Sequence, residues 1–132
     1  MTGERALVIV DAANVVGSVP DGWWRDRRGA AERLRDSLVP YAEDGLPGQA
    51  GPLEIVLVVE GAARAVASVP GVRVEAAPGS GDDLIVALAA AARGARSCLV
   101  VTADRELRQR AEAHGARCAG PRTVRPLPPR RD

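Results

Sequence analysis

Three stretches of this chain are apolar without interruption: Ala6-Leu7-Val8-Ile9-Val10, Ile55-Val56-Leu57-Val58-Val59 and Cys98-Leu99-Val100-Val101. Each is short, rich in β-branched residues and bounded by polar or turn residues. Such runs read as strands covered on both faces, the kind found in parallel sheets with helices above and below. Two further runs alternate instead, Val72-Arg73-Val74-Glu75-Ala76 and Ala116-Arg117-Cys118-Ala119. Alternation leaves one face wet and belongs at the margins of a sheet.

Helical spacing fills the intervals. Residues 24–38 place Ala31, Leu34 and Leu38 on one stripe. Residues 82–93 align Leu84, Ile85, Leu88, Ala89 and Ala92, and residues 104–114 align Leu107 with Ala111. A short helical turn is expected at 61–67, and the Gly/Pro-rich stretch 44–52 reads as a loop. Strand and helix in repeated alternation predict an α/β fold, a Rossmann-like three-layer sandwich on a parallel five-stranded sheet. With the continuous strands inside and the alternating ones outside, the strand order is 3-2-1-4-5. The topological switch then lies between the first and fourth strands, where ligands bind beyond the carboxyl ends. Residues 1–120 form one domain in this reading, and residues 121–132 a Pro/Arg-rich tail.

Composition removes several function classes. The 132 residues include no Phe, one Tyr and two Trp, so aliphatic side chains must fill the core. The formal charge of +1 is neutral on nucleic acid, but every basic side chain is arginine. Without lysine there is no Walker-type phosphate loop, no Schiff-base chemistry and no receiver-type Asp–Lys site. Cys98 and Cys118 are far apart and read as packed thiols, and His114, the single histidine, sits near a helix end. Met1 to Arg5 lead into an apolar run of only five residues, and no stretch approaches a membrane span. The expectation is a cytoplasmic protein with no membrane partner. The sequence leaves the oligomeric state open, a homodimer included.

The acids carry the functional signal. Asp11 follows the first strand, Glu60 the second, and Thr102-Ala103-Asp104 the fourth, while Asp82-Asp83 open the helix that feeds the fourth strand. All lie at one end of the sheet. Asp82, Asp83 and Asp104 can each be explained singly as helix-start acids. Asp11 resists that reading, because a charge ending a buried strand needs a partner. Taken together, converging carboxylates suit a hard cation such as Mg²⁺ or Mn²⁺ and metal-assisted chemistry on a phosphate ester.

The order and strand context of these residues resemble the PIN-like nucleases, in particular the NYN domain of the YacP-like branch. Asp11 with Asn14 three residues later resembles the first motif of that family. Asp82-Asp83-Leu84-Ile85 resembles its acidic helix start, and Thr102-Ala103-Asp104 its T-x-D signature. The resemblance spans residues 6–119. It implies a divalent-metal-dependent endoribonuclease, with Asp11, Asp82 and Asp104 as metal ligands and Asp83 in support. Asn14 and Thr102 would orient water or the scissile phosphate. Glu60 departs from the family, which often has Asp there, and is assigned an outer-sphere place.

Beyond the first motif, Trp23 and Trp24 stand beside Arg25, Arg27 and Arg28. Trp23 is expected to stack a base, and these arginines, with Arg105 and Arg108, to contact RNA phosphates. A charged, solvated helix face is the plainer alternative for the arginines. A haloacid-dehalogenase-type phosphatase would need a second Asp at the position of Ala13, and a serine hydrolase would need a nucleophile elbow that Gly79-Ser80-Gly81 does not provide. The competing class is a catalytically silent RNA-binding or protein-interaction module on the same fold.

Overall fold

The computed structural model describes residues 5–125. The chain runs through β1 (Ala6–Asp11), α1 (Ala12–Gly17), α2 (Arg27–Asp44), a small hairpin of β2 (Gly45–Leu46) and β3 (Gln49–Ala50), and β4 (Leu53–Val59). It continues through β5 (Val72–Ala76), α3 (Gly81–Ala92), β6 (Cys98–Val101), α4 (Arg105–Glu112) and β7 (Arg117–Ala119). Five strands form one sheet in the order β5-β4-β1-β6-β7, all neighbours parallel. This is the expected 3-2-1-4-5 order, with the switch between β1 and β6.

The period-two pleat divides each central strand between two cores. Val8 and Val10, Leu53, Ile55, Leu57 and Val59, and Leu99 and Val101 face α1 and α2. Leu7 and Ile9, Val56 and Val58, and Cys98 and Val100 face α3 and α4. Val8, Ile9, Val10, Val56 and Val100 are wholly shielded from water. At roughly 1.5–3 kcal/mol for each fully buried aliphatic side chain, this double coverage is the main force holding the sheet in place. The margins differ as expected: Arg73 in β5 and Arg117 in β7 are exposed.

Several local features depart from the expectations. The helix predicted over residues 24–38 begins instead at Arg27 and runs on to Asp44, with Pro40 inside it. Pro40 is exposed, so the backbone carbonyl deprived of its usual N–H partner can turn to water. Asp26 caps the start, accepting from Gly29 N–H at 2.9 Å. Gly45, at φ +82, ends it in a conformation other residues avoid, where a Cβ would lie 2.4 Å from Gly51 N. The stretch expected as a loop holds the β2–β3 hairpin, because buried Leu46 anchors it to the core.

Packing also continues past Gly120. Pro121–Thr123 form a 3-10 turn, and Val124 is only 3% exposed. Arg125 donates to the carbonyls of Val15 and Val16 and pairs with Asp21 at 3.1 Å. The rest of the Pro/Arg-rich tail lies outside the described residues. Among the described residues no helix is long and apolar enough to cross a membrane.

Candidate functional site

Strand phase decides which way the terminal residues point. Asp11 continues the phase of Leu7 and Ile9, Glu60 that of Val56 and Val58, and Thr102 that of Cys98 and Val100. All three therefore lean toward the layer of α3 and α4, whose first turns bring Asp82 and Asp104. The predicted acids come together for this reason.

Asp11 is 7% exposed and Thr102 is fully buried. The Thr102 hydroxyl donates to Asp11 Oδ2 at 2.9 Å and accepts from Asp104 N–H at 3.1 Å. With both directions of its hydroxyl committed, Thr102 is a strut joining β1, β6 and α4, shielded from any substrate. Asp11 also starts α1, its Oδ1 facing Asn14 N–H at 3.4 Å. Asn14 Oδ1 accepts from Ala103 N–H at 2.8 Å, which leaves the Asn14 amide N–H₂ to donate outward. The pair Asp11–Asn14 is thus locked to Thr102–Ala103–Asp104 across the switch point.

Burial pushes the Asp11 carboxyl up to about 6; the bonds from Thr102 and Asn14 oppose that rise, and Asp82 and Glu60 add to it. The Asp82 carboxyl is raised as well, first by burial, then by Asp104 and Glu60, with Arg110 working the other way and Asp83 adding a little. Asp82 is thus electrostatically linked to both Asp104 and Glu60. Glu60 accepts from the backbone N–H of Gly81 in a short hydrogen bond and so ties the end of β4 to the start of α3. Ser80 caps α3 by accepting from Asp82 N–H at 3.1 Å.

Not every candidate turns into the crevice. Asp83 is exposed and pairs with Arg110 at 2.9 Å, which binds α3 to α4. Asp104 faces two ways, since its Oδ1 caps α4 through Leu107 N–H at 3.0 Å while its charge reaches Asp82. Among the described residues no three His, Cys, Asp or Glu side chains are drawn together tightly enough to enclose an ion. An Mg²⁺-type ion keeps several waters and takes only one or two carboxylates directly, so an open ring of acids is a workable donor set.

The cationic candidates differ in freedom. Arg108 is half-buried and donates through Nε to Thr102 O at 2.8 Å, holding the end of β6. Arg105 is exposed at the first turn of α4. Arg28 pairs with Glu32 at 3.5 Å, one helical turn on. Arg27 lies over the Trp23 ring at 5.2 Å, and Arg25 over the Trp24 ring at 5.9 Å. Trp23 is half-buried against the core, whereas Trp24 is 50% exposed.

Two residues of this region escaped the sequence reading. Ser80 stood in a readable pattern, a hydroxyl three residues before Asp83 at a helix start. Arg110 gave no such signal, because its position opposite Asp82 and Asp83 follows from how α3 and α4 pack.

No family model matches the sequence, and no curated protein matches it. Solved structures do. A crystal structure of Rae1 (YacP) from Bacillus subtilis superposes with a TM-score of 0.72 at 18% identity, covering 89% of this chain and 70% of that one. Its W164L mutant gives 0.66 at 20% identity over the same shares. The chain has a PIN-like fold. At this identity the likeness concerns architecture alone, and the chemistry must be argued from the side chains that the PIN-like sheet gathers at its carboxyl edge.

Proposed function

We propose that the chain is a divalent-metal-dependent ribonuclease that hydrolyses phosphodiester bonds within RNA in the cytoplasm. The observation that carries this reading is the convergence of Asp11, Asp82, Glu60 and Asp104 on one crevice, where burial and like charge raise Asp11 and Asp82. Acids held together at such a cost are a recognised mark of function. The donor set is made of hard oxygen atoms with no His or Cys among them, which fits Mg²⁺ or Mn²⁺. Asp11, Asp82 and Asp104 would hold the ion. When bound, such an ion makes a coordinated water more acidic and offsets phosphate charge.

The remaining residues have parts that follow from their contacts. Thr102 fixes the Asp11 carboxylate, and Asn14 aligns the Ala103 backbone, which leaves its amide N–H₂ to serve water or the scissile phosphate. Arg25, Arg27 and Arg105 are exposed and would take up phosphates, with Arg28 and Arg108 partly committed elsewhere. Glu60 positions the start of α3.

The test is cleavage of single-stranded and structured RNA by the purified protein with Mg²⁺ or Mn²⁺, and again in excess chelator. Cleavage that needs the metal and disappears in Asp82→Asn is expected. Metal-dependent cleavage absent from the parent, with RNA still bound, would instead establish a silent binding module, a reading favoured by the capping duty of Asp104.

A further inference from the structure

Beside the acidic crevice, on the α1–α2 side of the sheet, lies a cavity of about 280 Å³. That is slightly below the roughly 300–1,000 Å³ of pockets that take a drug-sized ligand, and it suits a single heterocycle. Its volume exists because the residues at its floor are small: Ala12, Ala31 and Ala63, all buried. Its mouth is open because two lining residues are glycines; a Cβ at Gly61 or at Gly79 would meet nothing within 4 Å.

Three polar or aromatic groups line it. Trp23 and Arg27 stack with 5.2 Å between guanidinium and ring centroid, making a flat, polarisable wall on which a planar ring can lie. Glu60, just past the end of β4 where the sheet no longer divides its two sides, supplies the third. Its Oε2 is taken by Gly81 N–H, while Oε1 has no protein partner among the described residues. No ion pair among the described residues involves Glu60. A carboxylate left with a spare acceptor at the edge of an apolar slot calls for an N–H donor on the ligand.

We infer that this cavity receives one base of the RNA strand and prefers bases with an exocyclic amino group (adenine, cytosine or guanine) over uracil. The inference rests on the ribonuclease reading for its ligand class, since Glu60 and Ala12 are shared walls of the cavity and the crevice that holds Asp11. An amino group donates to Glu60 Oε1 directly. Uracil offers only one ring N–H set between two carbonyls, whose oxygens face the carboxylate charge. Arg27, at the rim, is placed for the phosphate of the same nucleotide.

The experiment uses the full chain carrying Trp24→Phe, which leaves Trp23 as the single tryptophan. Its fluorescence is followed on titration with AMP, CMP, GMP and UMP in chelator, so that no cleavage enters the measurement. Quenching by the three amino nucleotides is expected, with UMP weaker by about ten-fold or more, the worth of one hydrogen bond to a charged group. Glu60→Gln should remove or reverse the preference, because its one oxygen stays with Gly81 N–H and its N–H₂ presents a donor that meets carbonyls and not amino groups. Gly79→Leu should abolish binding of all four; its backbone does not need glycine and its Cβ position is open, so the fold tolerates the change.

Four nucleotides that bind equally, none that bind, or a preference surviving Glu60→Gln would each overturn the assignment. The two readings fail separately. Metal-dependent RNA cleavage without nucleotide discrimination removes the pocket alone. Discrimination without cleavage removes the nuclease and leaves the base site.

Discussion

At Asp11 the cost of burying a charge, with Asp82 and Glu60 adding to it, can be read directly. Its carboxyl titrates at about 6 in the folded chain against an ordinary 3.8. A folded-state pKa raised in this direction supports the fold fully below about 3.8, and that support is lost as pH climbs through 6. In metal-free protein at neutral pH the ionised Asp11 therefore costs on the order of 3 kcal/mol. Asp11→Asn removes that charge but has one acceptor oxygen where the carboxylate has two, so a bond from Thr102 or from Asn14 N–H is weakened at every pH. The expected result is a variant whose stability relative to the parent improves by about 1–3 kcal/mol between pH 4 and pH 8. Denaturant melts at the two pH values check this, and a pH-independent difference would refute it. Asp11 itself was legible in the sequence, because a charge closing a buried strand demands an explanation. The strut role of Thr102 was not, since it depends on β6 lying beside β1 in a register that puts the hydroxyl within 2.9 Å of the carboxylate.

Among the elements, the helix starts carry both structure and proposed chemistry. Asp104 caps α4 and also adds to the charge felt by Asp82. The two duties separate by substitution. Asp104→Asn keeps a capping oxygen and should leave stability within a few tenths of a kcal/mol, whereas Asp104→Ala should lose about 1 kcal/mol. Both should abolish RNA cleavage, because both remove the carboxylate. Thermal melts beside cleavage assays distinguish the outcomes, and full activity in Asp104→Asn would reduce Asp104 to a cap. Helix existence followed from the spacing of apolar residues, but helix ends did not. Pro40 removes one helical hydrogen bond, yet Leu38 and Ala42, both buried, hold the helix on the sheet across it. Burial of the α2 stripe outweighs the loss of one exposed hydrogen bond. The hairpin of β2 and β3 was hidden for a similar reason, because its anchors, the burial of Leu46 and the bond from Arg117 to Gln49, depend on segments far along the chain.

For the molecule as a whole, the acid ring predicts a particular response to metal. Anything that binds only the folded chain stabilises it in proportion to ligand concentration over Kd. Mn²⁺ at about 100 times Kd should add about 2.7 kcal/mol to the parent, and distinctly less to Asp82→Asn, which lacks one proposed ligand. Melts of both proteins with and without Mn²⁺ supply the comparison; equal shifts would mean that the ion binds elsewhere. The sequence by itself determined the layer plan, the order of the central strands and the set of acids at one edge, since double-sided burial and the right-handed crossover rule leave few other arrangements. Tertiary structure alone decided which side each end residue faces and how Arg110 meets Asp82 and Asp83. It also decided how far Arg108 and Arg28 are committed to other partners, and that Glu60 forms a wall between crevice and cavity. Those outcomes depend on register, helix packing and the direction of side chains, none of which is written in local spacing. They arise where distant segments meet, and their energies are settled only once the chain has closed around them.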